Sequence, residues 1–146
     1  MIPVSDDLVL LDTDIWSHLF SDARRRHPDD ARWRELLLGR RIAIATQTRA
    51  EVLAGAAIAQ WGEGRTTALR VQLDRTPTIP VALDVVEAYA RLTADLRLLG
   101  HALHDKKHTG DRWIAATALA VGAPLFSGDG IYRGTPGLVL FDTATT

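Results

Sequence analysis

Short apolar runs alternate along the chain with longer segments of helical period. Leu8 to Leu11 is a continuous apolar run that stops at Asp12, the pattern of a strand buried on both faces. Ile15, Trp16, Leu19 and Phe20 then recur at helical spacing. Asp29 and Asp30 stand where helix caps belong, and Trp33, Leu36 and Leu37 share a face before Gly39 stops the segment. Residues 42–45 predict a second strand and residues 46–58 a helix that carries Glu51. Gly62 and Gly64 punctuate the chain before a helix over about Thr66 to Leu73. Residues 78–81, with Pro77 and Pro80 around them, can form only a short or edge strand.

The strongest period lies between Asp84 and Leu99, where Val85, Tyr89, Leu92, Leu96 and Leu99 step by four, three, four and three. Asp84 predicts the cap, Glu87 its capping-box partner and Gly100 the stop. Residues 101–110 read as a polar loop holding Lys106 and Lys107. Asp111 opens a helix that is apolar and alanine-rich almost all round from Trp113 to Val121, and therefore buried; Gly122 closes it. Residues 124–126 and 138–141 predict the last two strands. This alternation implies an α/β fold, one domain with a mainly parallel central sheet flanked by helices. Such sheets leave a crevice at the carboxyl ends of their strands where strand order reverses.

Composition narrows the setting. A chain of 146 residues suits a single domain. The absence of cysteine excludes disulfides and thiolate zinc sites and fits a reducing cytoplasm. Residues 1–11 carry Asp6 and Asp7 where a signal peptide would be apolar. The longest apolar stretch, Trp113 to Val121, is nine residues, against about 20 for a membrane span. With 17 basic and 18 acidic residues the formal charge is −1, so no global attraction to nucleic acid is evident. Between Asp22 and Arg49, however, eight arginines face four acids. That bias marks either a solvated surface or a stripe contacting phosphates.

Two acids fall at the predicted crevice: Asp12 directly after the first strand and Asp129 shortly after Leu125-Phe126. Asp111 heads the helix that leads into the Asp129 strand, and Glu51 lies early in the helix after the second strand. Two unit charges 4 Å apart repel by about 4 kcal/mol at an effective dielectric near 20. Converging carboxylates therefore require protonation or a cation. Oxygen donors without Cys or paired zinc-type His select Mg²⁺ or Mn²⁺, and the implied chemistry is phosphoryl transfer to water. Each acid also has an ordinary reading. Asp12 and Asp111 can cap helices, Glu51 can close a capping box with Thr48, and Asp129 can serve its own turn.

The ordered segments Leu10-Leu11-Asp12-Thr13-Asp14, Thr48-Arg49-Ala50-Glu51, Gly110-Asp111-Arg112-Trp113-Ile114-Ala115-Ala116 and Leu125-Phe126-Ser127-Gly128-Asp129 resemble the motifs of PIN-domain ribonucleases. Within that group the chain is most similar to the VapC toxins of toxin–antitoxin pairs. The resemblance implies a Mg²⁺- or Mn²⁺-dependent endoribonuclease acting on structured RNA such as tRNA or rRNA. It also implies a cognate antitoxin bound in a groove of the early helices, and a homodimer. By position Asp12, Glu51, Asp111 and Asp129 form the acidic centre, with Asp12, Asp111 and Asp129 holding metal and Ser127 as a supporting hydroxyl. The family commonly has Asn or Ser where Asp14 stands, so Asp14 adds a possible fifth carboxylate, and often Asn where Gly110 stands. Arg112 either steadies a phosphate or pairs with a neighbouring acid. Specificity is expected in residues 21–28 and 101–110, with His104 and His108 as solvent or RNA contacts. Four Trp against three Phe hint at an aromatic interface.

Two other readings remain open at this level. Asp12-Thr13-Asp14 and Gly128-Asp129-Gly130 also resemble haloacid-dehalogenase-type phosphatases, with Asp12 as a covalent nucleophile. Trp16, Arg133 and an idle Glu51 depart from that pattern. The other is a PIN-like module that binds RNA or protein without cutting, which would call for a missing acid.

Overall fold

The computed structural model describes residues 7–21 and 27–141. Its elements run β1 (Leu8–Leu11), α1 (Thr13–Phe20), α2 (Asp30–Leu36), β2 (Arg41–Ala45), α3 (Thr46–Ile58), α4 (Glu63–Arg75), β3 (Thr78–Ile79), α5 (Leu83–Leu99), α6 (Thr109–Val121) and β4 (Leu125–Phe126). The four strands form a sheet in the order β3-β2-β1-β4, and every pair is parallel. The α/β reading holds.

β1 is central, which is why its run is apolar without alternation. Val9 and Leu11 project into a core with Trp16, Leu19, Trp33, Val52, Leu69, Leu73 and Phe126, under α1 to α4. Leu10 projects the other way, among Leu92, Leu96, Leu103, Ile114 and Leu125, under α5 and α6. A slip of one residue would exchange the two packing partners of every β1 side chain. Strand order turns back between β1 and β4, so the switch point lies at their carboxyl ends, where Asp12 and Ser127 follow.

Several boundaries differ from the pattern reading. α4 is longer at both ends than residues 66–73, because Glu63 and Arg75 extend it by propensity with no apolar position to mark them. α5 is capped at Ala82, and Asp84 lies inside its first turn, where Oδ1 accepts from the Val85 amide. Residues 101–110 are not a loop: they form 3-10 turns at Ala102–His104 and Lys106–His108, anchored by fully buried Leu103. α6 consequently begins at Thr109, and Asp111 is its third residue rather than its cap. Residues 138–141 form a single parallel bridge, Leu125 to Leu140, and no strand. Pro136 and Gly137, the latter at φ +74°, redirect the chain immediately before it.

Within the arginine-rich stretch, three of the described arginines make structural contacts. Arg24, Arg25, Arg26 and Asp22 lie outside the described residues. Arg34 donates to the Leu19 carbonyl, Arg49 pairs with Asp74, and Arg40 covers the Phe141 ring. Of the tryptophans, Trp16 and Trp33 are core, while Trp61 and Trp113 are half-buried. Among the described residues no helix is long and apolar enough to cross a membrane.

Candidate active site

Asp12 sits where β1 ends and α1 begins. Its Oδ1 caps α1 by accepting the Ile15 amide at 3.1 Å, and its Oδ2 accepts the Ser127 hydroxyl at 2.6 Å. The capping reading of Asp12 is thus correct, but it occupies only one of the two oxygens. The residue is 6% exposed, and burial pushes its carboxyl up to about 6. Asp14 and Asp111 add repulsion in the same direction, while Ser127 and the Ile15 amide oppose it.

Asp111 enters from the first turn of α6. Its Oδ2 lies 2.9 Å from Nδ1 of His108, and its Oδ1 accepts the Tyr132 hydroxyl at 3.2 Å. Neither partner has a sequence signal of its own: His108 was expected to face solvent or RNA, and Tyr132 is fully buried 21 residues away. Burial and the charges of Asp111, Asp12 and Glu51 push the Tyr132 phenol above its ordinary range.

Glu51 projects from α3, whose cap is Ala45, so no capping box is formed with Thr48. Thr48 is buried and instead accepts the Thr13 hydroxyl at 3.1 Å, tying α3 to α1. Glu51 accepts the Gln47 amide at 3.2 Å, and its carboxyl is raised first by burial and then by Asp111, Asp12 and Asp14. Gly110 explains how α6 approaches α3 here. A Cβ on it would lie 3.0 Å from Nε2 of Gln47 and 3.2 Å from Oε1 of Glu51.

Asp129 is placed at the same sheet edge but with a looser hold. Its amide donates to Ser127 Oγ at 2.9 Å, and its own Oδ1 accepts from the Ile131 amide at 3.0 Å. The side chain therefore serves its turn, as the ordinary reading expects, and the residue is exposed. Asp14 is exposed in the first turn of α1 and borders clefts on both sides of the acids.

Arg112 has neither role expected of it. It is 5% exposed, and its guanidinium donates to the carbonyls of Leu103 and Asp105 at 2.8 Å each and to the Tyr89 hydroxyl at 3.2 Å. A cation enclosed by carbonyls is out of reach of a phosphate, and it clamps the 3-10 turns onto α6. Lys106 and Lys107 are exposed on those turns.

Asp12, Asp14, Glu51 and Asp111 thus share one electrostatic neighbourhood. Among the described residues no three carboxylate or imidazole side chains form a ready-made ligand set. Donor chemistry nevertheless fits a hard divalent cation. The groups are all oxygen donors, and the most buried of them resists ionising without a positive charge nearby.

An all-parallel α/β sheet with acids at its switch point defines the class to which the chain is compared. The family model of the PIN domain matches residues 9–138, and the chain belongs to that family. No curated protein sequence matches it. A chain of VapBC2 from Rickettsia felis, solved bound to a promoter DNA fragment, is 23% identical with a TM-score of 0.73; the match covers 92% of this chain and 97% of that one. VapBC-1 from nontypeable Haemophilus influenzae gives 23% identity and a TM-score of 0.73 over 94% and 99%. A toxin–antitoxin complex from Klebsiella pneumoniae gives 25% and 0.63 over 90% and 95%. Family membership sets aside the phosphatase reading.

Proposed function

We propose that the chain is a VapC-type toxin: a Mg²⁺- or Mn²⁺-dependent endoribonuclease of tRNA or rRNA, cytoplasmic, homodimeric and restrained by a cognate antitoxin. The observation that carries this reading is the buried Asp12, which accepts the Ile15 amide, is braced by Ser127 and is repelled by Asp14 and Asp111. A purely structural Asp at that position would be better replaced by Asn or Ser, which cap equally well without a buried charge. The PIN domain match and the toxin–antitoxin complexes among the structural relatives support the toxin and antitoxin parts of the reading.

Asp12, Asp111 and Asp129 are the residues that would hold the ion. When bound, it supplies the positive charge that lets a phosphodiester approach these acids and that activates water. The chain's own groups supply the rest. Ser127 fixes Asp12, while His108 and Tyr132 fix Asp111 from two sides. Glu51 keeps Oε2 to take a proton from the attacking water, since Oε1 accepts Gln47. Asp14 borders a groove lined by Glu51, Gly55, Trp61 and Arg65 as well as a second cleft toward Asp129. Openness on both sides suits a polymer cut internally rather than from an end.

The test is cleavage of purified tRNA and rRNA with Mn²⁺ by wild type and by Asp12→Asn. The expected loss in the variant is at least about a hundredfold. Undiminished cutting by Asp12→Asn overturns the assignment.

A further inference from the structure

The cleft toward Asp129 has walls that the acids do not explain. It measures about 550 Å³, within the roughly 300–1,000 Å³ of ordinary ligand pockets. Asp129 lines it from the turn after β4, Asp14 and His18 from α1, Arg32 and Trp33 from α2, and His27 from the segment just before α2. The three rings form one cluster: His27 stacks on Trp33 with centroids 4.4 Å apart and planes at 23°, and His18 lies 5.1 Å from His27 and 6.0 Å from Trp33. Two imidazoles beside a core tryptophan are not needed for packing, since an aliphatic pair would bury the same edge with no polar atoms.

His27 accepts the Asp29 amide through Nδ1 at 3.0 Å, which leaves Nε2 as the N–H donor of the ring. Its own amide donates to Asp30 Oδ2 at 3.1 Å, which locks the backbone at the head of α2. A flat ring with one oriented donor, next to a second imidazole and a guanidinium, matches a nucleobase: a π face to stack on and an edge acceptor to meet the N–H.

We propose that this cleft is a nucleobase subsite that receives the base next to the scissile phosphate, with His27 and His18 as contact rings and Arg32 as the cation near its phosphate. The proposal rests on the nuclease reading for the word scissile, and on the cleft alone for the binding. His18, His27 and Arg32 are specificity-determining residues and take no part in bond breaking.

The experiment titrates AMP, GMP, CMP, UMP and, as a control, inorganic phosphate into the full chain with Mg²⁺, followed by amide NMR shifts and calorimetry. At least one nucleotide should bind more tightly than phosphate and shift the Trp33 and His27 resonances. His27→Ala should weaken it at least about fivefold, whereas His27→Phe, which keeps a stacking ring, should retain most of the affinity. His18→Ala and Arg32→Ala are independent variants should His27→Ala lose its fold. The proposal is overturned if no nucleotide exceeds phosphate, if all variants bind as wild type does, or if only an acidic peptide occupies the cleft. RNA cutting with an unchanged KM and base preference in His27→Ala also overturns the subsite and leaves the nuclease reading standing. Nucleotide binding that depends on His27 in a protein that cuts no RNA removes the nuclease reading and leaves the subsite.

Discussion

Ser127 Oγ donates to Asp12 Oδ2 at 2.6 Å across 115 residues of sequence, closing the carboxyl ends of β1 and β4 onto each other. The same hydroxyl accepts the Asp129 amide, so one side chain sets the position of two acids. Ser127→Ala leaves the buried Asp12 oxygen with one donor fewer, a loss of about 1–3 kcal/mol in stability. Urea denaturation should register that loss, and Ser127→Thr should restore most of it. Equal midpoints for wild type and Ser127→Ala would mean that the bond contributes nothing.

The raised carboxyl of Asp12 makes a prediction of opposite sign to the usual acid. Its folded-state pKa rises from the ordinary 3.8 to about 6, chiefly by burial. The protonated form therefore stabilises the fold, fully below about pH 4, and that contribution disappears as pH rises through about 6. The difference amounts to roughly 3 kcal/mol. In metal-free buffer, Asp12→Asn should be more stable than wild type at pH 7.5, with the gap closing toward pH 4. A variant less stable than wild type at pH 7.5 would contradict the burial argument.

The sheet was legible because its physics is local. A four-residue apolar run can be interior on both faces only if it is central, and β1 is. The position of Asp12 followed from the end of its strand, whereas Ser127 entered only through the family resemblance. What could not be read was contact between side chains that share no period. Tyr132 and His108 reach Asp111 from a turn and a 3-10 segment, where neither alternation nor 3.6-residue spacing marks an inward face. The polar composition of His101 to Gly110 predicts a loop and a cap at Asp111; buried Leu103 and the Arg112 clamp organise the segment instead. Glu51 fitted a capping box in spacing, but α3 starts three residues too early for it, at Thr46.

Gly110 separates packing from chemistry. Alanine there gains helix propensity, worth up to about 1 kcal/mol. Its Cβ would nevertheless press on the Gln47 amide and the Glu51 carboxylate. Gly110→Ala should keep its melting temperature within a few degrees of wild type while RNA cleavage falls severalfold. Cleavage at the wild-type rate would show that Glu51 can move without consequence.

Arg112 is expected to matter for stability alone. Replacing it with Met strands the carbonyl of buried Leu103 and removes the donor to the Asp105 carbonyl, with a loss of about 1–3 kcal/mol. Calorimetric unfolding should show it. If the residue gripped phosphate, Arg112→Met would instead leave the melting temperature unchanged and raise KM for RNA.

The most direct check of the whole account is equilibrium binding of Mn²⁺ to the intact chain, followed by electron paramagnetic resonance. Saturable binding that weakens at least tenfold in both Asp12→Asn and Asp111→Asn is the expected result. Binding that is absent, or identical in wild type and both variants, would mean that these carboxylates do not act together on a cation.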